Sequence, residues 1–363
     1  MNSRRVICIS LSGAKTLDEA IFTCATGSTH NQSGTHEIHC GAGDGERRRD
    51  AILTMIERLR RNLLLVARPR QSNMLDDFRQ IAAHCRDIDS TIRPIPLLDA
   101  PWNLLRAPAF AARPTLVFAP QRLLFFHPLR GVVRSGRLLP KSEEYRRLES
   151  AGVPVPEWRL LTRAHSPDVT DLGRHVVTKP DYGGRGADVR IRRASRVRWR
   201  RSNTPVRFAA AAGVIAQKFI YTGPWPVSYR VSTLFGRTLF SWRVEASHER
   251  RAIDPNHFDG MFITSSHRGC SFQLNYDPEI IALGERAHSA FPAIPFLGID
   301  IVREEPSGRL FVLEVNSAGD VWHFSSTMGV SIQRWAGFDL SSQYGGLRRA
   351  AEILIEETHQ QAR

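Results

Sequence analysis

The chain reads as an α+β protein, a small α/β unit followed by antiparallel sheets, and three observations carry that prediction. Helix-period and strand-period patterns alternate between residues 52 and 126, as in a small α/β layer. From about residue 170 onward, short β-rich runs are separated by turn residues. Two pairs of these runs double back on tight turns: 229–235 with 238–244 around Phe235-Gly236-Arg237, and 298–305 with 309–316 around Pro306-Ser307-Gly308.

Taken in order, residues 1–51 are poor in apolar periodicity, rich in Ser, Thr, Gly and His, and end in GAGDGERRRD, so a flexible N-terminal extension is expected. Cys24, His30, His36, His39 and Cys40 fall there at spacings that match no zinc pattern. The globular part opens with ILTMIERLRRNLLLVARP, a short helix and then a strand at 62–67. A helix at 73–86, a strand at 115–118 and a second apolar stretch at 122–126 fill out a small domain over 52–130. The segment PKSEEYRRLESAG, 140–152, starts with Pro and Ser, carries acids in its first turn and stops at Gly152, the marks of a capped helix. After the linker VPVPEW come strands at 175–179, 187–192 and 214–220, the last two separated by an arginine-rich loop. A helix at 278–290 precedes the second hairpin, and the closing helix 345–358 has Leu347, Ala350, Ala351 and Leu354 on one face.

At 363 residues and 42% hydrophobic content, the chain has enough material for one large or two to three smaller domains. Fifty basic against 36 acidic residues leave a net charge of +14, which favours anionic partners such as nucleotides or acidic substrates. Only four of the fifty are lysine, namely Lys15, Lys141, Lys179 and Lys218, so each is a candidate for work that a planar guanidinium cannot do. Five scattered cysteines suggest no disulfide framework and fit a reducing cytoplasm. No stretch approaches 18 apolar residues, so a soluble protein away from the membrane is expected.

The second hairpin, GIDIVREEPSGRLFVLEVNSAG at 298–319, carries acids where apolar strands should carry hydrophobes. A three-residue loop with Gly308 in the left-handed position pairs Glu305 with Arg309, and counting outward pairs Asp300 with Glu314. Opposed residues share a face about 5 Å apart, and Asn316 lies two further along the same face. Two carboxylates and an amide oxygen converge, a hard-oxygen set suited to Mg²⁺ or Mn²⁺; the alternative is an exposed edge hairpin with solvated acids. Upstream, VTKPDYGGRGADVR at 177–190 puts Lys179 at a strand end just before Gly183, Gly184 and Gly186. Such glycines let a loop bring its N–H groups close to phosphate oxygens.

In order and spacing, these features resemble the ATP-grasp superfamily: Lys141, the Lys179-Pro180 strand end with its glycine loop, QKFI at 217–220, Arg230, Arg243, and LGIDIV followed by VLEVN. The closest resemblance is to the carboxylate–amine ligase branch that contains D-alanine:D-alanine ligase, glutathione synthetase and the glutamate ligases that extend protein tails. It covers roughly 130–358 and implies an ATP-grasp fold in which two antiparallel-sheet subdomains, here 131–213 and 214–363, clamp ATP behind a small α/β pre-ATP-grasp domain.

The resemblance implies roles residue by residue. Lys141 and Lys179 contact phosphates under a lid that carries Gly183, Gly184 and Gly186. Gln217, Lys218, Phe219 and Ile220 form the hinge strand beside adenine. Asp300, Glu314 and Asn316 hold Mg²⁺ or Mn²⁺ against the β- and γ-phosphates, and Arg230 and Arg243 face the transferred phosphoryl group. The implied reaction is ATP-dependent amide or peptide bond formation through an acyl phosphate, with release of ADP and phosphate. Its partners are ATP and a carboxylate and an amine, as small molecules or a peptide tail; dimers among similar enzymes leave room for a homodimer. Two departures stand out. The acid that relatives place after the hinge to hold the ribose is absent from YTGPWPVSYR, where Trp225 or Ser228 comes near its place, and Ser317 to His323 leave the family pattern where the acceptor is expected. An alternative enzyme reading keeps the site but phosphorylates a small molecule. A third, RNA binding through the eight arginines and Trp199 of 190–207, is outweighed by a solvated loop in an arginine-biased chain.

Overall fold

In the computed structural model, residues 60–126, 128–184, 186, 188–199, 213–249, 261–262 and 269–363 are described. The run RNLLLVA forms β1 (Arg61–Ala67), whose last six residues are buried. Burial on both faces is what a continuous apolar strand implies in a covered parallel sheet. β1 pairs in parallel with β2 (Ile92–Leu98) and β3 (Thr115–Ala119), and β4 (Val132–Ser135) extends the sheet to the order β2-β1-β3-β4. Helix α1 (Met74–Ile88) follows β1, and a short α2 (Ala107–Ala111) precedes β3. Strand β2 escapes a sequence reading because Pro94 and Pro96 demote it, but it is an edge strand, where proline is tolerated. The apolar stretch at 122–126, expected as a further hydrophobic element of the small domain, is irregular: the buried Asp99 carboxylate accepts N–H bonds from Leu124, Phe125 and Phe126 at 2.7, 2.9 and 2.7 Å. The helix expected near residue 52 lies outside the described residues.

The capped helix is α3 (Lys141–Ser150). It leads into a five-stranded antiparallel sheet built from β5 (Trp158–Leu161), β6 (His175–Pro180), β7 (Arg190–Arg193), β8 (Val214–Lys218) and β11 (Met261–Phe262), in the order β11-β7-β6-β8-β5. A second antiparallel sheet contains β9 (Val227–Leu234), β10 (Arg237–Ala246), β12 (Cys270–Leu274), β13 (Phe296–Arg303) and β14 (Leu310–Asn316), in the order β12-β10-β9-β13-β14. Helix α4 (Pro278–His288), capped by Asp277, buries Ile280 and Leu283 against one face of this second sheet, with Val231, Ile299 and Ile301. Two later helices, α5 (Thr327–Ala336) and α6 (Gly346–Gln361), close the chain, and α6 packs back on α1, β1 and β10.

Asp300 does sit opposite Glu314, but by a different route from the one counted. Glu304 donates its N–H to Arg309 O at 2.8 Å and accepts from Gly308 N–H at 2.8 Å, so the loop holds four residues rather than three. The inner pairs run Arg303 with Leu310 and Ile301 with Val312, one position off the expected register. A β-bulge at Leu313 then restores it, so two one-residue departures cancel at the acids.

The family-divergent segment after Asn316 turns out to be packing. Val321, Trp322 and His323 are buried; Trp322 is edge-on to Phe78 at 5.7 Å and gives its indole N–H to Asp77 of α1 at 2.8 Å. Trp322 thus joins α1 and the parallel sheet to Phe240 and Phe296 of the second antiparallel sheet in one core. Among the described residues no helix is long and apolar enough to cross a membrane. Trp322→Ala is expected to cost about 3–5 kcal/mol, read as a lower urea midpoint, and a loss below about 1 kcal/mol would contradict this joining role.

Candidate functional site

Strand β14 ends its sheet, so its outer edge offers N–H and C=O groups that no strand pairs. Side chains from α3 and β6 satisfy them. Val315 N–H donates to the Glu144 carboxyl, and the carbonyl of the bulged Leu313 accepts from the Tyr145 hydroxyl at 2.7 Å and from Lys179 Nζ at 3.0 Å. Val312 N–H donates to Pro154 O at 2.9 Å. The bulge re-aims a carbonyl that a regular strand would direct elsewhere, and the lysine of one sheet is thereby fixed to the edge of the other.

Helix α3 presents Lys141, Glu144, Tyr145 and Leu148 on its buried stripe, the i, i+3, i+4, i+7 pattern with two charged members. Its N-terminus is capped from outside. Asp181, just past β6, accepts from Ser142 N–H at 2.8 Å and Ser142 Oγ at 3.1 Å. That bond ties the start of α3 to the end of β6, so Lys141 and Lys179 are positioned together. Lys141 Nζ pairs with Glu314 Oε1 at 2.9 Å and donates to Gly183 O at 2.9 Å, which brings the glycine loop to the same spot. Arg230, opposite Asp300 across β9 and β13, grips it bidentately at 2.7 and 2.6 Å, and Asn316 Nδ2 donates to Asp300 Oδ2 at 3.0 Å. Gly298 sits between them, and a Cβ there would lie in ordinary contact, 3.7 Å from Arg230 Cδ and Asn316 Cβ.

Burial and neighbouring charge set the protonation states. Burial pushes the Glu144 carboxyl up to about 8, with Lys141 pulling it back and Glu314 pushing it further. Burial likewise lowers Lys179 to about 8, against the pull of Glu314. For Glu314 burial acts upward, but Lys141 and Lys179 together hold it below the usual carboxylate range. Lys141 is the mirror case: burial acts downward, and Glu314 with Glu144 leaves it raised.

Of the expected residues, Lys141, Lys179, Gly183, Arg230, Asp300, Glu314 and Asn316 converge here. Gln217 is buried beside Tyr145 on the same face of its sheet as Lys179, and Ile220 is buried just beyond β8. Phe219 is half-buried, as is Gly186 (φ 68°), whereas Gly184 is exposed. The Lys218 side chain points to the other face of that sheet, 3.6 Å from Glu157, so it does not join Lys179. Arg243 is also not brought in. It lies opposite Tyr229, on the face of its sheet away from Arg230 and Asp300, and pairs with Glu245 at 2.8 Å. Of the arginine-rich stretch, 200–207 lies outside the described residues. The residue that sequence reasoning missed is Glu144. Its signal was the one that exposed Asp300 and Glu314, an acid at an apolar position of a periodic element, but it stood among first-turn acids that cap helices anyway.

The donor set suits a hard cation. Asp300, Glu314 and Asn316 lie side by side on one sheet face, and their acids are balanced at present by Arg230 and Lys141. Among the described residues no group of three or more His, Cys, Asp or Glu could hold a metal, so protein ligation would stop at two carboxylates and an amide.

Residues 140–318 match the family model of the ATP-grasp domain. These residues form an ATP-grasp domain. Among solved structures, D-alanine–D-alanine ligase from Bacillus anthracis is 14% identical over 83% of this chain and 97% of its own, with a TM-score of 0.46. D-cycloserine synthetase DcsG is 16% identical over 82% and 99%, TM-score 0.47. The macrocyclase MdnC from Microcystis aeruginosa MRC, bound to its precursor peptide MdnA, is 11% identical over 81% and 99%, TM-score 0.44. No curated protein matches.

The Glu144 proton gives this ATP-grasp domain a pH signature. The folded protein keeps that proton up to about pH 8, whereas an ordinary glutamate loses it near 4.5. The folded state therefore binds more protons in that window, and stability falls as pH rises through it. Glu144→Gln should flatten this fall, measured as urea midpoints at pH 5, 6.5 and 8; a variant profile parallel to wild type would remove the assignment.

Proposed function

We propose that this protein is an ATP-dependent ligase that joins a carboxylate to an amine through an acyl phosphate, releasing ADP and phosphate. The observation that carries the reading is the convergence, inside an ATP-grasp domain, of two buried lysines, a bidentate arginine and an acid–acid–amide set on one sheet face. Lys141 and Lys179 are point charges suited to nucleotide phosphates, and the charge of each acts on Glu314. Phosphate oxygens arriving there replace the Glu314 and Leu313 oxygens as their acceptors. Gln217 and the backbone of 218–220 line the side where the adenine edge meets a hinge.

Mg²⁺ or Mn²⁺, held by Asp300, Glu314 and Asn316, would neutralise charge on the transferring phosphoryl group. Arg230 then exchanges Asp300 for the developing negative charge, as a planar donor fork suits. The substrate carboxylate is itself the nucleophile toward ATP, and the amine displaces phosphate from the acyl phosphate, so no side-chain nucleophile is required. The partners are therefore ATP and an acid–amine pair of small molecules or a peptide tail.

With Mg²⁺-ATP and pools of amino acids, the purified protein should release ADP and orthophosphate. AMP with pyrophosphate would sink the mechanism, and a stable phosphorylated product without free phosphate would replace it with a kinase. Glu314→Gln should lower turnover on the order of 10²-fold or more with the circular dichroism spectrum unchanged; retained turnover would remove Glu314 from the metal set.

A further inference from the structure

Gln121 follows β3, at the carboxyl edge of the parallel sheet, and is 1% exposed. Neither its amide nitrogen nor its amide oxygen has a hydrogen-bond partner among the described residues. A buried amide with both ends unpaired is costly, and proteins keep one where something else supplies the partner.

Its location indicates what that partner is. A Cβ on Gly136 would stand 2.6 Å from Pro120 O, 2.7 Å from Ser317 O and 2.9 Å from Gln121 Cα, so the Gln121 backbone is packed against the residue that follows Asn316. Arg137 and Ser317 reinforce the junction through a 2.9 Å backbone bond and a Ser317 Oγ–Arg137 O bond of 2.5 Å. In open parallel sheets, ligands bind in the crevice outside the carboxyl ends of the strands. Two other polar atoms near the junction lack partners in the same way. Ser232 Oγ is fully buried on β9 opposite Gly298, and Asp320 Oδ1 lies four residues past Asn316, close enough for its charge to act on Arg230. Ser232 and Asp320 thus lie beside the acid–amide set, and the Gln121 backbone approaches it at Ser317.

We propose that Gln121 is a substrate-reading residue, whose amide pairs with the donor–acceptor end of an amino acid or peptide joined at this site. The proposal rests on the ligase reading. A primary amide donates through Nε2 and accepts through Oε1 at once, which matches a group carrying N–H and C=O or carboxylate side by side. That group is either the amino–carboxylate end of a free amino acid or the amide of a peptide chain. A substrate without such an end leaves the Gln121 amide unpaired and is disfavoured for that reason.

The test uses the full chain and two variants. Gln121→Met keeps the volume and removes the buried amide, so without ligand its Tm should rise by about 2–4 °C. With Mg²⁺ and AMP-PNP present, a pool of the twenty amino acids and a separate pool of dipeptides are each titrated against Tm; the pool that stabilises wild type identifies the source. At least tenfold weaker stabilisation is expected in Gln121→Met, and similar weakening without the Tm gain in Gln121→Asn, whose amide is withdrawn by one methylene. A Tm that falls in Gln121→Met, no shift of wild type by either pool, or equal shifts in variant and wild type would each overturn the proposal. ADP release from the pools that is indifferent to Gln121 would leave the ligase reading standing without it. Binding that depends on Gln121 with no ADP release would leave Gln121 standing and remove the ligase.

Discussion

The site depends on one unsatisfied sheet edge. Strand β14 has a neighbour on one side only, and backbone groups on its other side must be paired or solvated. Here they are paired by the side chains of Glu144 and Tyr145 from α3 and Lys179 from β6, and by the Pro154 carbonyl, rather than by another strand. The bulge at Leu313 makes this possible by offering one carbonyl to both Tyr145 and Lys179. A regular β14 would have turned Glu314 onto the apolar face beside Val312 and lost the contact through which the two antiparallel sheets share a charged junction.

Charge balance follows from that contact. Two lysines and two glutamates are drawn into one poorly solvated place, and none of the four could stay there alone, since an isolated buried charge is far costlier than a paired one. Their mutual fields hold Glu314 ionised while Glu144 retains its proton up to about pH 8. Arg230 and Asp300 repeat the arrangement one strand further in. Every acid that suits a cation is therefore held by a basic side chain that suits a phosphate. On the proposed reading, binding of a cation and a phosphate exchanges partners between these two sets.

The rest of the fold fixes where this junction stands. Asp181 ties the start of α3 to the end of β6, so the two lysines are positioned together. Trp322 and Asp77 anchor the chain beyond Asn316 to α1, and Ser317 is bonded to Arg137 next to the parallel sheet. The stretch that departs from the family pattern is thus mostly an anchor between layers. Its polar exception, Asp320, lies between the two anchored points.

What the sequence determined by itself is periodicity and its violations. The α+β class, helix α3, the two hairpins and the closing helix are legible because alternating or helical apolar spacing survives in the chain, and Asp300 and Glu314 are legible because they break it. Rare lysines pointed to Lys141 and Lys179 for a comparable reason, although Lys218, equally rare, faces the other way. The sequence could not give the faces of Arg243 and Lys218, the bulge that corrected a miscounted turn, or the burial of Glu144 and Gln121. Each is set by contacts between segments far apart in the chain, and such contacts leave no trace in local spacing. Tertiary structure alone decided which oxygens and which cations meet at the edge of β14, because that edge is completed by elements more than a hundred residues away.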